Sequence, residues 1–158
     1  MNILDKIVAH KKTEVQSAKK NVSYTSLEES EYFHRDVLSF KDFLLDPNRT
    51  GIIAEFKRKS PSKGIINDKV SVENVTTGYA AAGASALSVL TDRQFFMGRR
   101  IDLMRARKVN RIPILRKDFM IDEYQVIEAK SMGADMILLI SSTRSKVPGV
   151  LISIVPSG

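Results

Sequence analysis

The chain has 158 residues, 43% of them hydrophobic and 27% charged, the balance of a folded globular domain rather than a disordered segment. It contains no cysteine, which excludes disulfides and thiolate metal sites and is compatible with a reducing cytoplasm, and no run reaches the roughly 18 apolar residues of a membrane span. The net charge is +7, yet the basic residues are spread along the chain without a nucleic-acid-binding motif. A basic balance of this kind suits nucleic acid, anionic lipid or a small anionic substrate, and the dense stretch Arg99–Arg111 reads as a solvated helix face.

The opening MNILDKIVAHKK carries charges inside its apolar stretch, which does not fit a signal peptide. Residues 3–20 show helical spacing: Ile3, Leu4, Ile7, Val8 and Val15 share a face, with lysines opposite. Residues 21–35 are polar and suggest no element. Ser39 caps a second helix that runs through Leu45 and ends at Asp46-Pro47.

From Gly51 the pattern changes. Ile52–Phe56 is a short apolar run expected to form a buried strand, followed by a helix over Val72–Ala82 that Gly83 closes. Ala86–Leu90 is a second strand, Ile101–Lys108 a helix and Ile114–Lys117 a third strand after Pro113. Glu123–Met132 is a helix closed by Gly133, and Met136–Ile140 a fourth strand. Each connection exceeds the dozen or so residues a parallel crossover requires. Repeated βα units imply a parallel sheet, either doubly wound or a β/α barrel, and periodicity does not choose between them. No GxGxxG follows the first strand, which argues against a dinucleotide site.

In either architecture the site lies beyond the carboxyl ends of the strands. Glu55 and Lys57 follow the first strand two residues apart, so they face one side as an ion pair or an acid–base pair. The loop Lys59-Ser60-Pro61-Ser62-Lys63-Gly64 supplies cations and hydroxyls suited to a phosphate or carboxylate. Phe95 and Phe96 follow the second strand. Lys117 ends the third and Phe119 follows it, the aromatics being candidates for a ring pocket or for rim packing. Ser141 and Ser142 follow the fourth. His10 and His34 are isolated, and no cluster has metal-ligand spacing.

These residues resemble one family. Ile53–Gly64 (IAEFKRKSPSKG) is similar to the signature of indole-3-glycerol-phosphate synthases. The likeness continues through Tyr79–Gly98, Ile114–Tyr124 and Ala129–Ile140. The resemblance implies a (β/α)8 barrel, or TIM barrel, present here as about four βα units behind an N-terminal helical extension. It implies a carbon–carbon lyase of tryptophan biosynthesis, working in the cytoplasm without metal or organic cofactor. The reaction closes the indole ring of 1-(o-carboxyphenylamino)-1-deoxyribulose 5-phosphate with loss of carbon dioxide and water. By matching position, Lys117 resembles the general acid, Lys57 the lysine that meets the anthranilate carboxylate, and Glu55 the carboxylate that helps set lysine charge. Ser60 and Pro61 match substrate-binding positions, and Phe96 and Phe119 match aromatics around the anthranilate ring.

The chain departs from the pattern at Arg99-Arg100, where the family carries a small polar residue, and again from Ser141 onward. The expected division is a helical extension over 1–48, a first half-barrel over 49–140 and a divergent tail over 141–158, in which Val150–Val155 would add one strand to a sheet edge. A chain of this kind is expected to be truncated and inactive alone, and to associate through its edges or with a complementary C-terminal half-barrel. The alternatives are a non-catalytic half-barrel fragment, or another phosphosugar-binding barrel such as a phosphoribosylanthranilate isomerase. Lys57 and Lys117 argue against the isomerase.

Overall fold

A computed structural model describes residues 2–140 and the strand Val150–Ile154. Ser141 and Ser142, with the rest of 141–149 and 155–158, lie outside the described residues.

Helix α1 spans Ile3–Asn21 and opens on a capping box: Asn2 Oδ1 accepts from the Asp5 amide at 2.9 Å, and Asp5 Oδ2 accepts from the Asn2 amide at 3.2 Å. Its buried stripe is Ile7, Lys11, Val15 and Ala18. This corrects the sequence expectation twice: one lysine lies on the packed face, and Ile3 is exposed. The stretch 21–35 contains a short helix α2, Tyr24–Glu28, capped by Ser23. Helix α3, Phe40–Leu45, is capped as expected by Ser39, whose hydroxyl accepts from the Asp42 amide at 3.3 Å.

The strands fall where the apolar runs place them. They are β1 (Ile53–Phe56), β4 (Ala86–Leu90), β5 (Ile114–Lys117) and β6 (Met136–Ile140), with a two-residue hairpin, β2 (Lys59–Ser60) and β3 (Gly64–Ile65), after β1. Ile52 stays outside β1 and is exposed. β1, β4, β5 and β6 are neighbours in that order and all parallel. Helices α4 (Val72–Ala81), α6 (Arg100–Val109) and α7 (Tyr124–Ser131) form the crossovers, and the short α5 (Arg93–Phe96) precedes α6.

The two faces of the sheet settle the choice the sequence left open. Val72, Leu103, Ala106 and Ala129 from all three crossover helices, with Met132 at the C-cap of α7, pack with Phe56, Leu87, Val89, Ile114 and Ile137 of the strands. The alternate strand residues Ile53, Ala86, Leu115, Met136 and Leu138 form a separate cluster on the opposite face, closed by Phe40 of α3. Strands laid in sequence order with crossover helices on one face are the winding of a barrel. A doubly wound sheet reverses strand order and carries helices on both faces. The last strand, β7 (Val150–Ile154), runs antiparallel along β6, so it adds to an edge without continuing the βα repeat.

Arg99–Arg111 is not a uniformly solvated face. Arg107 is buried against Asp135, with Nη1 2.8 Å from Oδ2. Burial pulls the Arg107 guanidinium below its ordinary value, and Arg35 and Arg111 act the same way, while Asp135 opposes them. Asp135 also accepts from Arg35 Nη2 at 2.7 Å and from the amides of Leu38 and Ile114 at 2.8 and 2.9 Å. One carboxylate thus fastens the segment before α3 to the amino-terminal end of the sheet.

Candidate active site

The inner face ends in polar residues where the strands stop. Register places Glu55 beside Ser88, Ser88 beside Leu115, and Leu90 beside Lys117. The Glu55 carboxylate is shared: Oε1 lies 3.1 Å from Lys57 Nζ, and Oε2 accepts from the Ser88 hydroxyl at 3.2 Å. Both members of the Glu55–Lys57 pair are about one-third exposed, so the pair faces an open mouth rather than a sealed core. Neither sequence reading of the pair is discarded by this geometry, since it is an ion pair and it sits at the strand ends.

Lys117 lies two strands away on the same face. It lines a small pocket of about 30 Å3 with Leu90, Asp92, Phe96, Asp118 and Phe119. Its ammonium makes no ion pair with any carboxylate among the described residues. The Phe96 and Phe119 rings approach to 6.2 Å between centroids with a tilt of 37°, forming an aromatic wall.

Ser60 is buried at the base of the β2–β3 hairpin, where its hydroxyl accepts from the Lys63 amide at 3.1 Å. The hairpin packs beside α5, which carries Phe96. Pro61 is exposed in the hairpin turn and does not line the Phe96–Phe119 pocket. Arg58 is buried, stacks on the Phe56 ring at 4.7 Å and pairs with Asp102, which also takes Arg99 Nη2 at 2.8 Å. The departure at Arg99-Arg100 therefore has a structural use: Arg99 braces Asp102, and Arg100 Nε reaches Glu128 at 3.0 Å.

Beneath these side chains lies a buried ionic network that the sequence reading missed. Lys11 Nζ is 2.9 Å from oxygens of Glu14, Asp92 and Asp118. Asp118 Oδ2 accepts from the Thr91 hydroxyl at 2.6 Å and lies 3.3 Å from Arg116 Nη2. Arg116 continues to Glu128 at 2.8 Å. Burial alone would raise the Asp118 carboxyl, but Arg116, Lys11 and Thr91 outweigh it and hold the group below the usual aspartate value. Burial likewise would lower Lys11, yet Asp118, Glu14 and Asp92 push it well above the ordinary lysine value. The one available signal was spacing: Lys11 falls at the helical interval between Ile7 and Val15.

Sequence-ordered parallel strands, with crossover helices on one face and ionisable side chains gathered at the carboxyl ends, define a β/α-barrel protein. The family profile described as indole-3-glycerol phosphate synthase matches residues 4–147, and the chain belongs to that family. It is 47% identical to the indole-3-glycerol phosphate synthase of Bacteroides thetaiotaomicron over 141 residues, covering 89% of this chain and 54% of the relative. It is 43% identical to that of Bordetella pertussis over 145 residues, covering 90% and 55%. Against the synthase of Carboxydothermus hydrogenoformans it is 41% identical over 150 residues, covering 91% and 57%. The chain thus spans about half the length of the curated relatives it matches. No described helix is long and apolar enough to cross a membrane.

Proposed function

We propose that this chain carries the anthranilate-binding and acid-catalytic part of an indole-3-glycerol-phosphate synthase site. The reaction would be closure of the indole ring of 1-(o-carboxyphenylamino)-1-deoxyribulose 5-phosphate, with loss of carbon dioxide and water, in the cytoplasm and without a cofactor. Lys117 is the general acid at the ribulose carbonyl, where ring closure builds negative charge on oxygen. Lys57 meets the anthranilate carboxylate, and Glu55 sets its charge and direction. Ser60 and Pro61 border the substrate, and Phe96 and Phe119 flank the anthranilate ring. The 1–48 segment acts as a helical extension, 49–140 as the first half of the barrel and 141–158 as a tail outside the repeat.

The observation that carries the reading is the contrast between the two lysines. Lys57 is held by Glu55 at 3.1 Å, while Lys117 stands beside an aromatic pocket without a carboxylate partner among the described residues. An ammonium not engaged by a fixed carboxylate is free to donate to a developing oxyanion.

The described residues supply four parallel strands, whereas a closed barrel takes about eight βα units. A polypeptide of these 158 residues is therefore inactive alone and gains activity on association with a complementary C-terminal half-barrel. The test is indole-glycerol-phosphate fluorescence from the purified chain, alone and mixed with the second half of a relative. Signal only in the mixture is expected. Robust turnover by the chain alone overturns the need for a partner half, and silence in a mixture that forms a closed barrel overturns the synthase reading.

A further inference from the structure

We propose that Lys11 of the N-terminal helix is a positioning residue that ties together the two loops bearing the site's aromatic wall and Lys117. What those loops do rests on the synthase reading; how they are held does not.

Lys11 is fully buried, and a buried ammonium is costly unless carboxylates surround it. An apolar side chain between Ile7 and Val15 would dock α1 at lower cost. A lysine adds direction: its charge fixes where specific carboxylates point. Two of its three partners sit just past strand ends. Asp92 is the N-cap of α5 and accepts from the Phe95 amide at 2.8 Å, while its own carbonyl accepts from the Gly98 amide at 2.7 Å. The turn that presents Phe96 is thus built on Asp92. Asp118 stands between Lys117 and Phe119 and accepts from the Phe119 amide at 2.8 Å. A single cation on a distant helix therefore orients two carboxylates, and each carboxylate organises one loop. The third partner, Glu14, is a partly buried neighbour one turn along α1 and reaches Arg100, which closes the circuit through Glu128 and Arg116 back to Asp118.

Amide hydrogen exchange on the 158-residue chain without substrate tests this. The reporters are the Phe95, Gly98 and Phe119 amides, with the Leu87 amide, bonded to the Pro113 carbonyl at 2.9 Å, as the sheet reference. Asp92→Asn should loosen Phe95 and Gly98 and spare Phe119. Asp118→Asn should do the reverse. Lys11→Met should loosen all three by at least about tenfold relative to Leu87 and abolish the nuclear Overhauser contacts between the Phe96 and Phe119 rings. Lys11→Gln, which keeps a polar donor, is read the same way where the methionine variant does not fold. Unchanged loop amides in a folded Lys11 variant overturn the proposal. So does loosening of Leu87 as great as that of the loops, which would make Lys11 a stabiliser of the whole sheet. A chain with the expected exchange pattern and no synthase activity in a completed barrel refutes the synthase reading alone.

Discussion

Glu55 and Lys57 hold each other at 3.1 Å at the end of β1, about one-third exposed on both sides. A half-solvated pair of this kind contributes only about 0.2–1 kcal/mol to stability. Lys57→Met should therefore shift the denaturation midpoint of the chain little. In a barrel completed with a relative's second half, the same variant should raise KM and lower kcat together, because its proposed partner is the substrate carboxylate. An unchanged KM would remove that contact from the mechanism.

Lys117→Met separates the two lysines. A positioned general acid supplies about 10²–10⁴-fold. In the completed barrel kcat should fall by that order while KM moves far less, since the interaction strengthens in the transition state. Turnover within a few-fold of wild type would refute the assigned role.

Asp118 makes stability depend on acid. Its folded carboxyl lies below the usual value, against an unfolded aspartate near about 3.9. A depressed carboxyl stabilises the fold above the unfolded value, and that contribution is lost as pH falls through the folded one. Asp118→Asn should lower the melting temperature at pH 7, and the gap to wild type should narrow below about pH 4. Lys11, shifted upward by those carboxylates, stays charged throughout this range, so the acid dependence comes from its carboxylate partners. A gap constant from pH 7 to pH 3 would show that the ionised carboxylate contributes nothing.

Gly98→Ala tests the turn after α5. A Cβ there would lie 2.4 Å from the Leu90 carbonyl oxygen and 2.8 Å from the Thr91 amide nitrogen, both backbone atoms that yield only by moving β4. Overpacking of this kind costs about 1–3 kcal/mol. Chemical denaturation should register that loss, and a neutral result would show that the turn relaxes freely.

Much of the fold was legible because its signals are local. Short apolar runs marked β1, β4, β5 and β6, and glycines at φ +91° and +88° closed α4 and α7 where Gly83 and Gly133 stood in the sequence. The strand-end rule then placed Glu55, Lys57 and Lys117 without structural help. What escaped reading depended on contacts across the chain. Arg107 looked like one more surface cation because Asp135 is distant in sequence. Lys11 looked like the polar side of an amphipathic helix because Asp92 and Asp118 are brought to it only by the folded sheet. Charge type identifies a side chain as expensive to bury, but not whether the fold provides its counter-ion.

The N-terminal helices also fix an order of events. The Tyr124 hydroxyl donates to the Ala18 carbonyl 106 residues away, Lys19 reaches Asp122 across 103 residues and Arg35 reaches Asp135 across 100. At a synthesis rate of about 5–20 residues per second, the first helix waits on the order of 5–20 s on the ribosome before its partners emerge. During that interval Lys11 is hydrated, and Ile7 and Val15 are uncovered. Helix α1 is thus made before the partners it packs on, and it docks only after they emerge.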